Sequence, residues 1–230
     1  GSRFLIQPVN FKTRHLTKYY QGKFKKERDM RKYSRLVIAL SHEGDENSVF
    51  SAPVVEMKNG DSSVQVADFE SALHMLPPGS EVCVVARGTV GDMIIQNISR
   101  IIRESCIFIE LDLSEVKELS RVLNSPFKGN VNLTSIKFPC NLASLNESAF
   151  AGCKNLRSVV VPASVKKIGS SVFYGCENLT YLEFQKMDGW SAVHENGERI
   201  PVTNLENPED NPFRFSLPSS PYRNCVLQRD

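Results

Sequence analysis

LTSIKFPCNLASLNESAFAGCKN (133–155) and LRSVVVPASVKKIGSSVFYGCEN (156–178) are consecutive stretches of equal length that superimpose position by position. Leu133, Leu156 and Leu179 recur at the same interval, as do Ile136, Val159 and Leu182, then Phe138, Val161 and Phe184. Leu119, Leu142 and Val165 follow it, and so do Val122, Leu145 and Ile168, and Phe127, Phe150 and Phe173. Gly129, Gly152 and Gly175 mark one turn, Asn132, Asn155 and Asn178 each precede a leucine, and Pro139 and Pro162 close two apolar runs. So many coincidences at one spacing define a repeat. Each unit is too short to bury its own apolar face, so neighbouring units must stack into one continuous core.

Within a unit, the alternation at Ile136/Phe138, Val159/Val161 and Leu182/Phe184 predicts one short strand. The ESAF and SSVF stretches predict a short helical turn that drops its Phe into the core, and the Gly after it takes a conformation that a Cβ would resist. Phe150 and Phe173 are therefore expected to be core residues. Cys153 and Cys176 follow that Gly at equivalent positions, with no recurring His or Cys beside them. They read as small apolar packing residues, reduced and buried.

The pattern L-x-x-I-x-[VF]-P, completed by F-x-G-C-x-N-L, resembles the BspA-type leucine-rich repeats of treponemes, Bacteroides-like bacteria and some protists. Gly152-Cys153-Lys154-Asn155-Leu156 and Gly175-Cys176-Glu177-Asn178-Leu179 match its signature. Gly129-Asn130-Val131-Asn132-Leu133 departs by lacking the Cys, and Leu145-Asn146 departs where Ile168-Gly169 matches. The resemblance covers residues 68–190. It implies cell-surface attachment, an exported location (periplasm or cell surface), and binding of a host or bacterial protein.

Upstream, Phe69, Leu73 and Leu76 behind Asp68 predict a helix, and 81–87 predicts a strand. Met93, Ile94, Asn97, Ile98, Ile101 and Ile102 predict a helical stripe, and 107–113 alternates as a second strand. This leader resembles the segment that precedes treponemal repeats and is expected to begin the same sheet. Residues 188–230 hold five of the twelve prolines and the only tryptophan, and predict an irregular cap carrying Trp190, Phe213, Phe215 and Val226. Residues 1–67 are the hardest to read: Leu36–Leu40 fits a strand, and GDENS (44–48) and NGDSS (59–63) fit turns. The expected organisation is a basic arm or cap (1–67), leader and repeats (68–187) and a C-terminal cap (188–230). The expected fold is an α/β leucine-rich repeat solenoid whose parallel sheet has about five or six short strands.

Composition narrows the function. Residues 12–35 hold ten Lys/Arg and two acids, a net +8, which leaves −6 for the rest of a chain whose net charge is +2. That arm could meet nucleic acid, an anionic surface or the acidic body of its own chain. No apolar run reaches the roughly 20 residues that span a bilayer. The leading Gly1-Ser2 reads as an added dipeptide, so the lack of a secretory segment here says nothing about compartment.

His15, His42, His74 and His194 are scattered, and no zinc spacing, phosphate loop or nucleophile elbow occurs. Glu43, Asp45 and Glu46 lack calcium-loop spacing and read as a solvated turn. Asn97, Asn132, Asn146 and Asn178 begin N-x-[ST] strings, two of them at repeat positions that the fold itself explains. The chain thus reads as a protein-binding module with no catalytic site, metal or cofactor. If the apolar alternation points inward, the solvent face of the sheet carries Glu110, Asp112, Ser135, Lys137, Ser158, Val160, Tyr181 and Glu183. These eight are the candidate partner-binding residues. Open stack ends and aromatic residues in the arm also point to a homodimer.

Overall fold

The computed structural model describes residues 35–40, 54–59, 62–66 and 69–229, less positions 75, 90–91, 118, 123–124 and 223. Strands β1 (Arg35–Leu40), β2 (Val54–Asn59) and β3 (Ser62–Val66) come first, then helix α1 (Phe69–His74), strand β4 (Glu81–Thr89), helix α2 (Asp92–Glu104) and strand β5 (Phe108–Lys117). The repeats supply β6 (Arg121–Val122), β7 (Leu133–Lys137), β8 (Ser144–Leu145), β9 (Ser158–Val161), β10 (Lys167–Ile168) and β11 (Tyr181–Phe184). The chain continues through β12 (Trp190–Val193), β13 (Arg199–Pro201), helix α3 (Asn211–Phe215) and β14 (Val226–Arg229).

Two sheets enclose one core, an α/β repeat arrangement. The first has eight strands in the order β11-β9-β7-β5-β4-β1-β2-β3. The six from β11 to β1 run parallel, and β2 and β3 add antiparallel at the far edge. Ser158 lies opposite both Ser135 and Tyr181, so the 23-residue sequence offset is also the sheet register. The second sheet holds the short strands, in the order β13-β12-β14-β10-β8-β6. Arg121, Ser144 and Lys167 stand abreast there at the same offset.

The repeat therefore has a second, two-residue strand. Two residues carry too little alternation to stand out in a sequence, although Leu145 and Ile168 are both buried. The expected short helical turns are tight turns instead. Ser125, Ser148 and Ser171 take positive φ (47°, 54° and 55°), and Gly129, Gly152 and Gly175 do so four residues later (69°, 74° and 73°). The serines were not expected to adopt this conformation, which costs an L-residue free energy and recurs here at the same position of every unit.

The Phe of each turn is buried. Phe127 and Phe150 stack at 5.4 Å, and Phe150 and Phe173 at 6.2 Å. Asn132, Asn155 and Asn178 tie units together. Asn155 Nδ2 donates to the Val131 carbonyl and Asn178 Nδ2 to that of Lys154, both at 2.9 Å, while Asn132 Nδ2 donates to the Ile102 carbonyl at 2.9 Å. Backbone carbonyls left open by one turn are thus satisfied from the next unit.

The leader begins the same sheet, as expected. Helix α2 joins β4 to β5 and covers the first units, with Ile95, Ile98, Ser99, Ile101 and Ile102 buried. The expected stripe is rotated: Met93 and Asn97 face solvent, and Ile95 takes their place. Ser99 can sit inside because its hydroxyl donates to the Pro126 carbonyl at 2.6 Å and accepts from buried Asn130. Asp68, the expected helix cap, lies outside the described residues.

The C-terminal segment is not irregular. Strand β14 pairs antiparallel with β10 and with β12, so the second sheet continues past the last repeat. Three- and four-residue strands separated by prolines leave little periodicity to read. Trp190 and Phe215 are buried as expected, whereas Val226 is half-exposed and its neighbour Leu227 takes the core position. Nothing is described of the Phe213 side chain.

Candidate partner-binding face

All eight candidate residues lie on the solvent side of the first sheet. Glu110, Ser135, Ser158 and Tyr181 stand abreast on β5, β7, β9 and β11. Two residues along each strand, Asp112 lies opposite Lys137, and Val160 opposite Glu183. The alternate positions Leu111, Ile136, Val159 and Leu182 are buried, which turns this row outward.

Local contacts hold most of the row in place. The Ser135 and Ser158 hydroxyls are 3.1 Å apart. Asp112 accepts from the Ser114 backbone at 2.9 Å and from its hydroxyl at 2.6 Å, and meets Lys137 Nζ at 3.4 Å. Partial burial is the largest single influence on Asp112 and raises its pKa. The two Ser114 bonds and the Lys137 charge together outweigh it and hold the carboxyl below its ordinary value. Tyr181 donates its phenol to Glu183 at 2.7 Å, and that bond raises the phenol's pKa. Val160 is half-exposed and Tyr181 is 36% exposed, so both keep apolar area toward solvent.

Two features were not legible in the sequence. Arg157, just before β9, reaches Glu81 Oε1 on β4 through its Nη1 at 2.8 Å, although β7 and β5 lie between those two strands. No sequence signal links residues so far apart in the chain. On β4, Cys83 lies opposite Glu110 and Val85 opposite Asp112. Val85 is fully buried despite pointing to the outer side, so the row through Asp112 stops at β5, whereas Cys83 in the row through Glu110 is half-buried.

Outside this face, chemistry is sparse. Among the described residues no group of three His, Cys, Asp or Glu is placed to hold a metal ion, and no helix is long and apolar enough to cross a membrane. The sequence reading missed one contact: Cys225 Sγ lies 3.3 Å from His194 Nδ1. The thiol is buried, and burial pushes its pKa up, opposite to what a nucleophilic thiolate requires. Asn132 and Asn178, which begin two of the N-x-[ST] strings, use their amides in the inter-unit bonds. Apart from Arg35 in β1, the basic arm lies outside the described residues.

The 133–178 units fall within a stretch that matches a known repeat. A family model for the BspA type leucine-rich repeat region, in six copies, matches residues 95–191. Residues 95–191 are thus similar to a BspA-type leucine-rich repeat region. No curated protein matches the chain. The BspA-type match begins inside α2, so the helix that covers the first units falls partly within the family pattern. Leucine-rich repeat regions generally act as protein-interaction modules and not as catalysts.

The repeat cysteines of the BspA-type region behave as packing residues. Cys153 Sγ donates to the Phe127 carbonyl at 2.9 Å and Cys176 Sγ to that of Phe150 at 3.2 Å, each reaching into the preceding unit. Burial pushes the Cys153 thiol up to about 12; it raises Cys176 as well, with the nearby Cys153 adding to the effect. Cys106 and Cys140 are exposed thiols and Cys153, Cys176 and Cys225 buried ones, none of these five in a disulfide. Iodoacetamide at pH 8 is expected to label exposed Cys106 and Cys140 in the native protein, and Cys153 and Cys176 only after denaturation. A 153–176 disulfide peptide in unreduced protein would overturn this assignment.

Proposed function

We propose that the BspA-type region is a short solenoid that serves as a non-enzymatic docking surface for a protein partner, in surface attachment or host interaction. The binding face comprises Glu110, Asp112, Ser135, Lys137, Ser158, Val160, Tyr181 and Glu183. The observation that carries this reading is the solvent side of β9 and β11. There, Val160 and Tyr181 present apolar area that the core does not use, on strands held by the packed repeat. Apolar area within a polar rim suits an interaction site, and tyrosine is favoured among residues that dominate binding energy.

The test starts from immobilised full chain, with the captured protein identified by mass spectrometry and purified. That protein is titrated against the parent, against a Val160→Glu, Tyr181→Ser double variant, and against a variant with the charges of 23–32 reversed. The double variant should keep its fold by circular dichroism and lose at least about tenfold in affinity, or about 1.4 kcal/mol. Full affinity in the double variant, with loss in the arm variant and steep weakening by salt, would place binding on the basic arm and point to an anionic partner.

A further inference from the structure

The repeat does not stop at β11. Val202-Thr203-Asn204-Leu205 follows Leu179-Thr180-Tyr181-Leu182 at the same 23-residue offset. Val202 and Leu205 are buried as Leu179 and Leu182 are. The strand itself is missing: Asn204, aligned with Tyr181, takes φ +58°, which an extended strand does not allow.

The chain that follows makes the bonds a next unit would make. The Gly129 amide donates to the Ala151 carbonyl and the Gly152 amide to the Tyr174 carbonyl, each in the following unit. The Gly175 amide donates instead to Ser216. At the outer edge of β11, the Leu182 amide donates to the Pro208 carbonyl at 2.8 Å. The Leu182 carbonyl accepts from Asn211 Nδ2, also at 2.8 Å, and the same amide group binds the Leu205 carbonyl at 3.1 Å. Asn211 is fully buried, and its Oδ1 has no hydrogen-bond partner among the described residues. A buried amide with one end unsatisfied is costly, so its place needs a reason beyond packing.

We propose that residues 202–216 are a repeat unit stripped of its strand, and that Pro208 and Asn211 close the edge of β11 against the strand of a second copy. An unpaired edge strand is a template for pairing with another chain. Here Leu182, at the centre of that edge, has both backbone groups occupied, one by a backbone carbonyl and the other by a side chain that cannot propagate a sheet. The expectation of open stack ends is therefore not met at this end, and any self-association of the parent uses another surface.

The test uses the full chain with Asn211→Ala, and Asn211→Asp as the second variant. A protonated aspartic acid keeps the shape and one of the two donors, whereas a carboxylate removes both and sets a negative charge against two carbonyls. Light scattering over a concentration series gives the mass, and hydrogen exchange with fragment resolution follows the Leu182 amide. Asn211→Ala should exchange that amide at least tenfold faster than the parent when dilute, then reach at least twice the parent's mass when concentrated, with the amide slow again. Asn211→Asp should do the same on passing from acid to neutral pH, which keeps the proposal testable if the alanine variant fails to fold. A folded variant with the parent's mass at every concentration overturns the proposal. So does association that leaves the Leu182 amide fast.

Discussion

Replacing Phe150 with alanine is expected to lower stability by about 3–5 kcal/mol, the range for truncating a buried aromatic ring. The upper end is expected here, because the ring is fully buried and its neighbours are rings too. It stacks on Phe127 at 5.4 Å and on Phe173 at 6.2 Å, and meets Phe138 edge-on at 5.8 Å. The cavity would open at the middle of the Phe column, where units on both sides constrain collapse. Phe173→Ala, with two fewer ring contacts among the described residues, should fall lower in the same range. Urea melts by circular dichroism measure both. If the two variants unfold within about 1 kcal/mol of the parent, the repeat register is wrong.

Gly169→Ala is expected to cost about 3 kcal/mol or more, at or beyond the usual range for overpacking a core. Its φ is not in the left-handed region; the constraint is space. A Cβ at 169 would stand 2.3 Å from the Glu147 nitrogen and 2.7 Å from its Cα, and neither atom can rotate away. The Gly169 amide donates to the Leu145 carbonyl at 2.8 Å, so the two units touch backbone to backbone there. Gly79→Ala is the control: φ is +78° and nothing lies within 4 Å of its Cβ position, so only the conformational cost of about 1–2 kcal/mol applies. Equal melting midpoints for the two variants would show that the units are not in contact at 169.

The chain is legible where a residue's role repeats and not where that role occurs once. The Phe column, the Gly turns, the Asn bonds and the buried cysteines each appear at several equivalent positions, so chance is easily excluded. Met93 was misplaced because a single amphipathic helix offers no second copy for comparison, and the neighbouring Ile95 fits a helical stripe equally well. The C-terminal strands were missed because β13 and β14 are short and pair with partners far away in the chain. Their conformation is set by those partners more than by their own alternation.

The sequence alone determined the unit, its offset and which side of each strand faces the core, because burial of an apolar face at period two leaves one choice of side. It also determined that Ser135, Ser158, Val160 and Tyr181 face solvent, since they alternate with that core set. Only the tertiary structure decided what those residues meet and where the row ends. The Arg157–Glu81 ion pair crosses two strands, Val85 is buried on the outer side, and Asn211 closes the edge of β11. Each depends on groups far apart in the chain, and single side chains reaching across the fold leave no periodic trace in a linear sequence.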